Sequence, residues 1–348
     1  MKVVVVSESD KEKWNGFILA NYPTIGSFIN SFRWGQFQEK LGRKIGRFFV
    51  TGGAGPVAAF MVVEHQLPFG YSYLYSPRGP IIAKKSLSKN ESKEIFKAIE
   101  TWAKKELSHK VFLRLEPSVE EMPTLDLKFK DPGYYVQPRH NLAVKVTGSE
   151  EDILAGFHSS TRSNIRRAKR RGVKVSLKEE VTEEVYADFF NMVADTARRN
   201  SGKNIYPDRV YFEKLFSSVP LVKAGEDLDK NQLSIACLYG YQKDVPAAIH
   251  FIFFFGSTAT YIYGASLSDK LSSKVTTLLH FEGMKLAQSY GCDYYDLGGV
   301  DEVRWPSLTK FKKQFGGEIF SYIGNLDLPL NKLMAKVYKW SRKLKSLK

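Results

Sequence analysis

The chain has 348 residues, 43% of them hydrophobic and 14% aromatic, enough apolar matter for the cores of two domains, which excludes a disordered or fibrous chain. Its 52 lysines and arginines against 37 acids leave a net charge of +15, so the expected partners are polyanions: nucleic acid, an anionic lipid surface or phosphorylated small molecules. The two cysteines, Cys237 and Cys292, sit among core-type residues as in a reduced compartment, and the six histidines lack zinc-ligand spacing, so neither metal nor cofactor is expected.

The first residues, Met1-Lys2-Val3-Val4-Val5-Val6-Ser7-Glu8, turn acidic too soon for a secretory leader. The longest apolar run, 246–256, is shorter than a membrane span. A cytoplasmic chain, soluble or peripheral, is expected. A turn at Thr51-Gly52-Gly53-Ala54-Gly55 leads into strands over 56–63 and 71–75 and the loop Ser76-Pro77-Arg78-Gly79-Pro80. A helix follows over 92–107, with Ile95, Ala98, Ile99, Trp102 and Ala103 on one face, and a strand over 111–117 closes the unit.

The same order returns later. A turn over 239–244 opens strands over 245–252 and 260–263, then comes a helix over 273–289 carrying Leu278, Leu279, Phe281, Met284 and Ala287, then a strand over 294–297. Ala58 answers to Ala247 and Tyr75 to Tyr263, as in a duplicated domain. The order fits mixed-sheet α/β domains with helices packed on the sheets; a Rossmann fold needs a glycine fingerprint after its first strand, and Gly52-Gly53-Ala54-Gly55 lies in a hairpin turn.

Between the repeats lies a capped helix holding Arg162, Arg166, Arg167, Lys169, Arg170 and Arg171 without one acid, which points to polyanion contact. After the second repeat, Tyr295-Asp296-Leu297-Gly298-Gly299 joins a strand to a glycine turn that lets backbone amides approach a ligand, and Lys310-Phe311-Lys312-Lys313 supplies positive charge beside it. That combination favours an anionic or oxyanion-forming substrate. The end of the chain, 330–348, reads as a basic amphipathic helix. Leu330, Leu333, Met334, Val337, Tyr338, Leu344 and Leu347 recur at helical steps, while Lys332, Lys336, Lys339, Arg342, Lys343, Lys345 and Lys348 project elsewhere. Its first turns suit a cap on the first domain, and its lysine-rich end suits the headgroup zone of an anionic bilayer.

These residues carry a resemblance over nearly the whole chain. Trp34-Gly35-Gln36-Phe37, Tyr75-Ser76-Pro77-Arg78-Gly79-Pro80, Leu113-Arg114-Leu115-Glu116-Pro117, Tyr211-Phe212, Tyr263-Gly264-Ala265-Ser266, the Gly298-Gly299 strand and Phe311-Lys312 with Phe315-Gly316-Gly317 stand in an order that resembles the Fem family of peptidoglycan aminoacyltransferases. The resemblance implies two tandem GNAT-like domains, placed at 1–150 and 151–321, with 322–348 returning to the first. It implies transfer of an amino acid of the glycine, serine or alanine class from aminoacyl-tRNA to the stem-peptide amine of a peptidoglycan precursor, by a monomer without cofactor. No heptad run between Tyr186 and Leu238 marks the helical arm of some members.

The resemblance also assigns roles. Lys312 is the cation that steadies the tetrahedral intermediate or a tRNA phosphate, and Glu116 the carboxylate that orients the amine or takes its proton. Gln38, Tyr75, Arg78, Arg209, Tyr211, Tyr263, Gly298 and Gly299 are expected at the substrate; without an arm the tRNA contact falls to the body of the protein, and the acid-free charge of Arg162, Arg166, Arg167, Lys169 and Arg170 makes their helix the expected site for part of it. Two departures, Gln38 in place of a lysine and Pro207 in place of an arginine with Arg209 only nearby, remove cations that grip a diphosphate. They shift the expected precursor from soluble UDP-MurNAc-pentapeptide to lipid II. An RNA-binding protein without chemistry, or another GNAT-type aminoacyl-tRNA-protein transferase, remain as alternatives, and no pyrophosphate loop for coenzyme A is found.

Overall fold

A computed structural model describes residues 1–26, 28–86, 88–119, 129–199, 204 and 206–346. The chain forms two compact units, Met1–Arg139 with Ser321–Lys348, and His140–Phe320. The first begins with β1 (Lys2–Val5), α1 (Lys11–Asn21) and α2 (Phe32–Lys40), followed by the hairpin β2 (Ile45–Gly52) and β3 (Gly55–Gln66). Then come β4 (Ser72–Ser76), β5 (Ile81–Ile82), α3 (Lys89–Glu106) and β6 (Phe112–Leu115). Side chains alternate across the sheet, so neighbouring residues face opposite layers. Phe48 meets Trp102 of α3 at 4.6 Å between ring centroids, and Phe49 meets Trp14 of α1 at 5.5 Å. α3 buries Ile95, Phe96, Ile99 and Ala103 completely against Phe60, Leu113 and Leu115.

The second unit holds β7 (His140–Lys145), α4 (Glu150–Ala155), α5 (Ser159–Arg170), β8 (Val173–Lys178), α6 (Glu183–Arg199) and α7 (Arg209–Ser218). It continues through β9 (Ser234–Gln242), β10 (Val245–Phe255), β11 (Thr258–Ser266), α8 (Val275–Ser289), β12 (Tyr294–Gly299), α9 (Pro306–Lys313) and β13 (Glu318–Ser321). α8 fills one face of the sheet with Leu278, Leu279, Phe281 and Met284 against Ile252, Phe254 and Leu297. On the other, Phe189 of α6 and Phe212 of α7 close on Phe251 at 4.7 and 6.0 Å. At the place where a helical arm would stand, α6 and α7 run only 17 and 10 residues.

The chain then returns to the first unit as β14 (Leu326–Pro329) and α10 (Lys332–Ser346). β14 pairs antiparallel with β6, and Asp327 takes both guanidinium arms of buried Arg114 at 2.7 Å each. Tyr73, Phe112, Tyr134 and Tyr338 ring that guanidinium at 5.7, 5.0, 4.7 and 5.9 Å. Among the described residues each sheet has seven strands, ordered β1-β2-β3-β4-β6-β14 with β5 on β3, and β13-β7-β12-β11-β10-β9-β8. Both contain the expected hairpin, helix and strand, with β4 parallel to β6 and β11 parallel to β12 across the helical crossover. The units divide after Arg139 and not at residue 150, because β7 pairs with β12 in the second sheet.

Candidate active site

Each unit gathers a buried ionisable group where its parallel strand pair ends, the region where open α/β sheets take ligands. In the first unit, β4 and β6 part after Ser76 and Leu115. β4 runs into Pro77-Arg78-Gly79-Pro80, with Arg78 at φ 51°. The Glu116 amide ties this loop down by donating to the carbonyls of Ser76 at 3.1 Å and Gly79 at 2.8 Å, and the Ser118 hydroxyl donates to the Arg78 carbonyl at 2.9 Å. Glu116 is thereby fully buried. Its Oε2 accepts from the Tyr75 hydroxyl at 2.5 Å and from the Arg78 amide at 3.5 Å, while Oε1 has no hydrogen-bond partner among the described residues.

Burial raises the Glu116 pKa above the ordinary carboxylate value, against the Arg78 charge, the Tyr75 hydroxyl and the amides of Arg78 and Gln137. Tyr75 is held protonated, first by burial and then by the Glu116 charge. The Arg78 guanidinium stacks 3.7 Å over the Tyr322 ring and donates to the Pro138 carbonyl at 2.8 Å. A desolvated carboxylate with a raised pKa is a competent proton acceptor.

In the second unit, β11 and β12 pair only from Thr258–Tyr294 to Thr260–Asp296. β11 runs on to Ser266, and the β12 register against β7 slips between Asp296 and Gly299. Gly298 sits in that irregularity at φ 80°, a backbone open to glycine at little cost. Asp296, 3% exposed, accepts from the Gly298 amide at 2.7 Å and from Asn141 Nδ2 at 3.0 Å. The Gly298 amide is thus turned inward to a carboxylate and is not an open oxyanion donor, a correction to the expectation from the glycine pair.

The cation at this place is Lys312, 5% exposed on α9, whose Nζ donates to the Gly299 carbonyl at 2.8 Å. A methyl added to Gly298 would stand 3.7 Å from that nitrogen. Burial lowers the Lys312 pKa to about 8, and the Asp296 charge draws it partly back up. Beside it His280 packs against Phe311, Phe315, Tyr261 and His250 at 5.7, 5.3, 4.6 and 4.4 Å. Burial drives His250 down to about 3 and His280 well below its ordinary value, the latter helped by His250 and Lys312. Sequence reasoning passed over Asp296, Asn141 and the two histidines; the one signal was an acid set between Tyr295 and Leu297 in an otherwise apolar strand.

Tyr211 and Tyr263 meet through their hydroxyls at 2.9 Å. Arg209 is engaged by Glu183 at 2.6 Å and Glu213 at 2.6 Å. Gln38 lies 2% exposed and accepts from Arg43 at 2.6 Å, a packing position and not an open substrate contact. On α5, Thr161, Ile165 and Ala168 face inward and leave Arg166, Arg167, Lys169 and Arg170 exposed. Arg162 differs: it donates to the Phe157 carbonyl and caps the preceding turn. A cleft of about 600 Å³ opens beside the start of α5, with His158, Lys310, Lys313 and Glu302 in its wall.

Two mixed sheets with crossover helices, each opening beside a buried ionisable group, define a tandem GNAT-like α/β fold. A tandem GNAT protein from the clavulanic acid pathway matches 95% of this chain and 98% of its own, with a TM-score of 0.55 at 10% identity. The crystal structure of FemX matches 97% of this chain and 100% of its own, with a TM-score of 0.78 at 18% identity. The FemAB family model matches residues 125–219 and 225–343, and the chain belongs to that family. Its relatives include the lipid II:glycine glycyltransferase of Staphylococcus aureus (strain COL), 22% identical over 88% of this chain and 89% of that protein. The same-named enzyme of Staphylococcus epidermidis is 26% identical over 73% and 80%. The chain is an enzyme of this aminoacyltransferase class. Among the described residues no helix is long and apolar enough to cross a membrane.

Proposed function

We propose that the chain transfers an amino acid from aminoacyl-tRNA to the stem-peptide amine of lipid II, building the interpeptide bridge of the cell wall. The relatives' names favour glycine as the group transferred and the lipid-linked precursor as acceptor. The observation that carries the reading is Lys312, an ammonium buried beside Gly298 and Gly299 at the mouth of the second unit's parallel strands. The acceptor nitrogen attacks the ester carbonyl, charge gathers on its oxygen, and the bond to the tRNA 3′ oxygen then breaks. An ester is already activated, so no covalent enzyme intermediate is needed, and a cation fixed in a dry site is worth most when that oxyanion forms.

Glu116 is assigned to orient the amine and to take the proton it sheds, and the leaving oxygen is protonated from solvent. Arg78, Tyr75, Tyr211 and Tyr263 are assigned to the precursor. The exposed cations Arg166, Arg167, Lys169 and Arg170 are assigned to tRNA phosphates, where each lost contact lowers the salt dependence of binding. The test is transfer from labelled glycyl-, seryl- and alanyl-tRNA to lipid II or UDP-MurNAc-pentapeptide, with product mass as readout. The Lys312→Ala variant is expected to lose on the order of 100- to 1000-fold in turnover while retaining tRNA. Unchanged turnover in that variant overturns the assignment.

A further inference from the structure

The terminal helix α10 holds to its unit by one side only. Its Tyr338 ring packs on Tyr73 and Phe112 at 5.6 and 5.0 Å and meets the Tyr134 hydroxyl at 3.3 Å, and Asn331 caps its start through the Met334 amide at 3.1 Å. Away from these contacts, Leu333, Val337 and Trp340 are 72%, 47% and 65% exposed. They stand four and three residues apart and so form a single apolar stripe. Lys332, Lys336 and Lys339 repeat the same steps one residue earlier, all exposed, as a cationic row beside it. The helix Lys332–Ser346 contains no acid.

A helix that merely covers its own domain turns its apolar residues inward. Here the sequence keeps three large apolar groups in water next to a row of lysines, a combination that matches a surface with hydrocarbon just beneath phosphate. We propose that α10 is an interfacial helix that seats this unit on an anionic lipid bilayer, with Leu333, Val337 and Trp340 at the acyl boundary and Lys332, Lys336 and Lys339 on lipid phosphates. At 15 residues it is roughly 22 Å long and lies in the plane of the surface. A second copy of the chain would set lysine row against lysine row. RNA would answer the lysines and leave Leu333 and Val337 in water. The proposal is independent of the reaction, since it concerns the surface alone.

The test is co-sedimentation of the full chain, without substrate, on vesicles of phosphatidylglycerol and phosphatidylcholine and on vesicles of phosphatidylcholine alone. Binding is expected on the anionic vesicles only, weakening with salt. Each lysine at such a surface is worth about fivefold, so Lys332→Glu with Lys336→Glu and Lys339→Glu lowers partitioning at least on the order of 100-fold. Leu333→Ser with Val337→Ser and Trp340→Ser is expected to abolish binding at physiological salt, with unchanged far-UV circular dichroism and unchanged transfer to a water-soluble acceptor. Binding of either triple variant equal to that of the parent, no binding of the parent to anionic vesicles, or a parent dimer that the serine variant converts to monomer each overturns the proposal. If the glutamate variant loses tRNA retention and the parent ignores vesicles, the lysine row serves nucleic acid and the proposal likewise fails.

Discussion

Replacing Lys312 by methionine should make the protein more stable as it makes it inactive. Holding this ammonium out of water lowers its pKa from 10.5 to about 8, a difference worth about 3 kcal/mol against the folded state at neutral pH. Methionine keeps the length and apolar stem of the side chain but forfeits the hydrogen bond to the Gly299 carbonyl, worth about 1 kcal/mol. The expected net gain is about 2 kcal/mol, or about 5 °C in the melting temperature of a unit of this size. The sign in pH follows from linkage. Between about pH 8 and 10.5 the unfolded chain keeps a proton on Lys312 that the folded chain has released, so parent stability rises with pH and the advantage of methionine fades. Denaturant unfolding of the two proteins at pH 7 and pH 10 measures this, with transfer assays in parallel expected to fall by on the order of 100- to 1000-fold. A Lys312→Met protein that is less stable at pH 7, or whose advantage does not shrink at pH 10, refutes the argument that the site holds a strained charge.

Three further outcomes are expected. Tyr75→Phe removes the 2.5 Å donor that holds the Glu116 pKa down, so the acid limb of the rate profile moves to higher pH; Glu116→Gln removes that limb, and an unmoved limb in Tyr75→Phe denies Glu116 the role of proton acceptor. Asp327→Asn leaves the Arg114 charge buried without its carboxylate, costing about 3–5 kcal/mol in equilibrium unfolding and opening residues 321–346 to protease. Gly317→Ala fails to fold well, because φ is 85° and the new methyl would stand 2.3 Å from the Ala143 carbonyl; Gly298→Ala, at φ 80° with nothing nearer than 3.6 Å, loses only about 1–2 kcal/mol in the same measurement.

The duplicated hairpin, helix and strand were legible because each piece is local: glycine turns, runs of apolar residues and a helical stripe such as Ile95, Ile99 and Trp102 need no distant partner to be recognised. The unit boundary was not, because β7 belongs to the second sheet only through its pairing with β12, far along the chain. The same limit applies within the site. Phe311-Lys312 stands out in the sequence, yet nothing near Asp296 tells that its oxygen turns back on the Gly298 amide, or that Asn141 holds the other one. Burial of Gln38 and pairing of Arg209 likewise come from neighbours brought in by the fold. In α10 the periodicity shows which residues share a face, but only the packing of Tyr338 shows that Leu333 and Val337 look outward.

The return of β14 to the first sheet sets an order of events for a chain made from its N-terminus. Residues 1–139 leave the ribosome long before the strand that borders β6, and until Leu326–Pro329 arrives β6 lacks that neighbour and Arg114 lacks the Asp327 carboxylate. The second sheet has all its described strands between His140 and Ser321 and can close while the first still waits. The half of the molecule that is translated first is therefore the half that is finished last, and a ribosome that stops short of residue 326 releases a completed second unit joined to an uncompleted first.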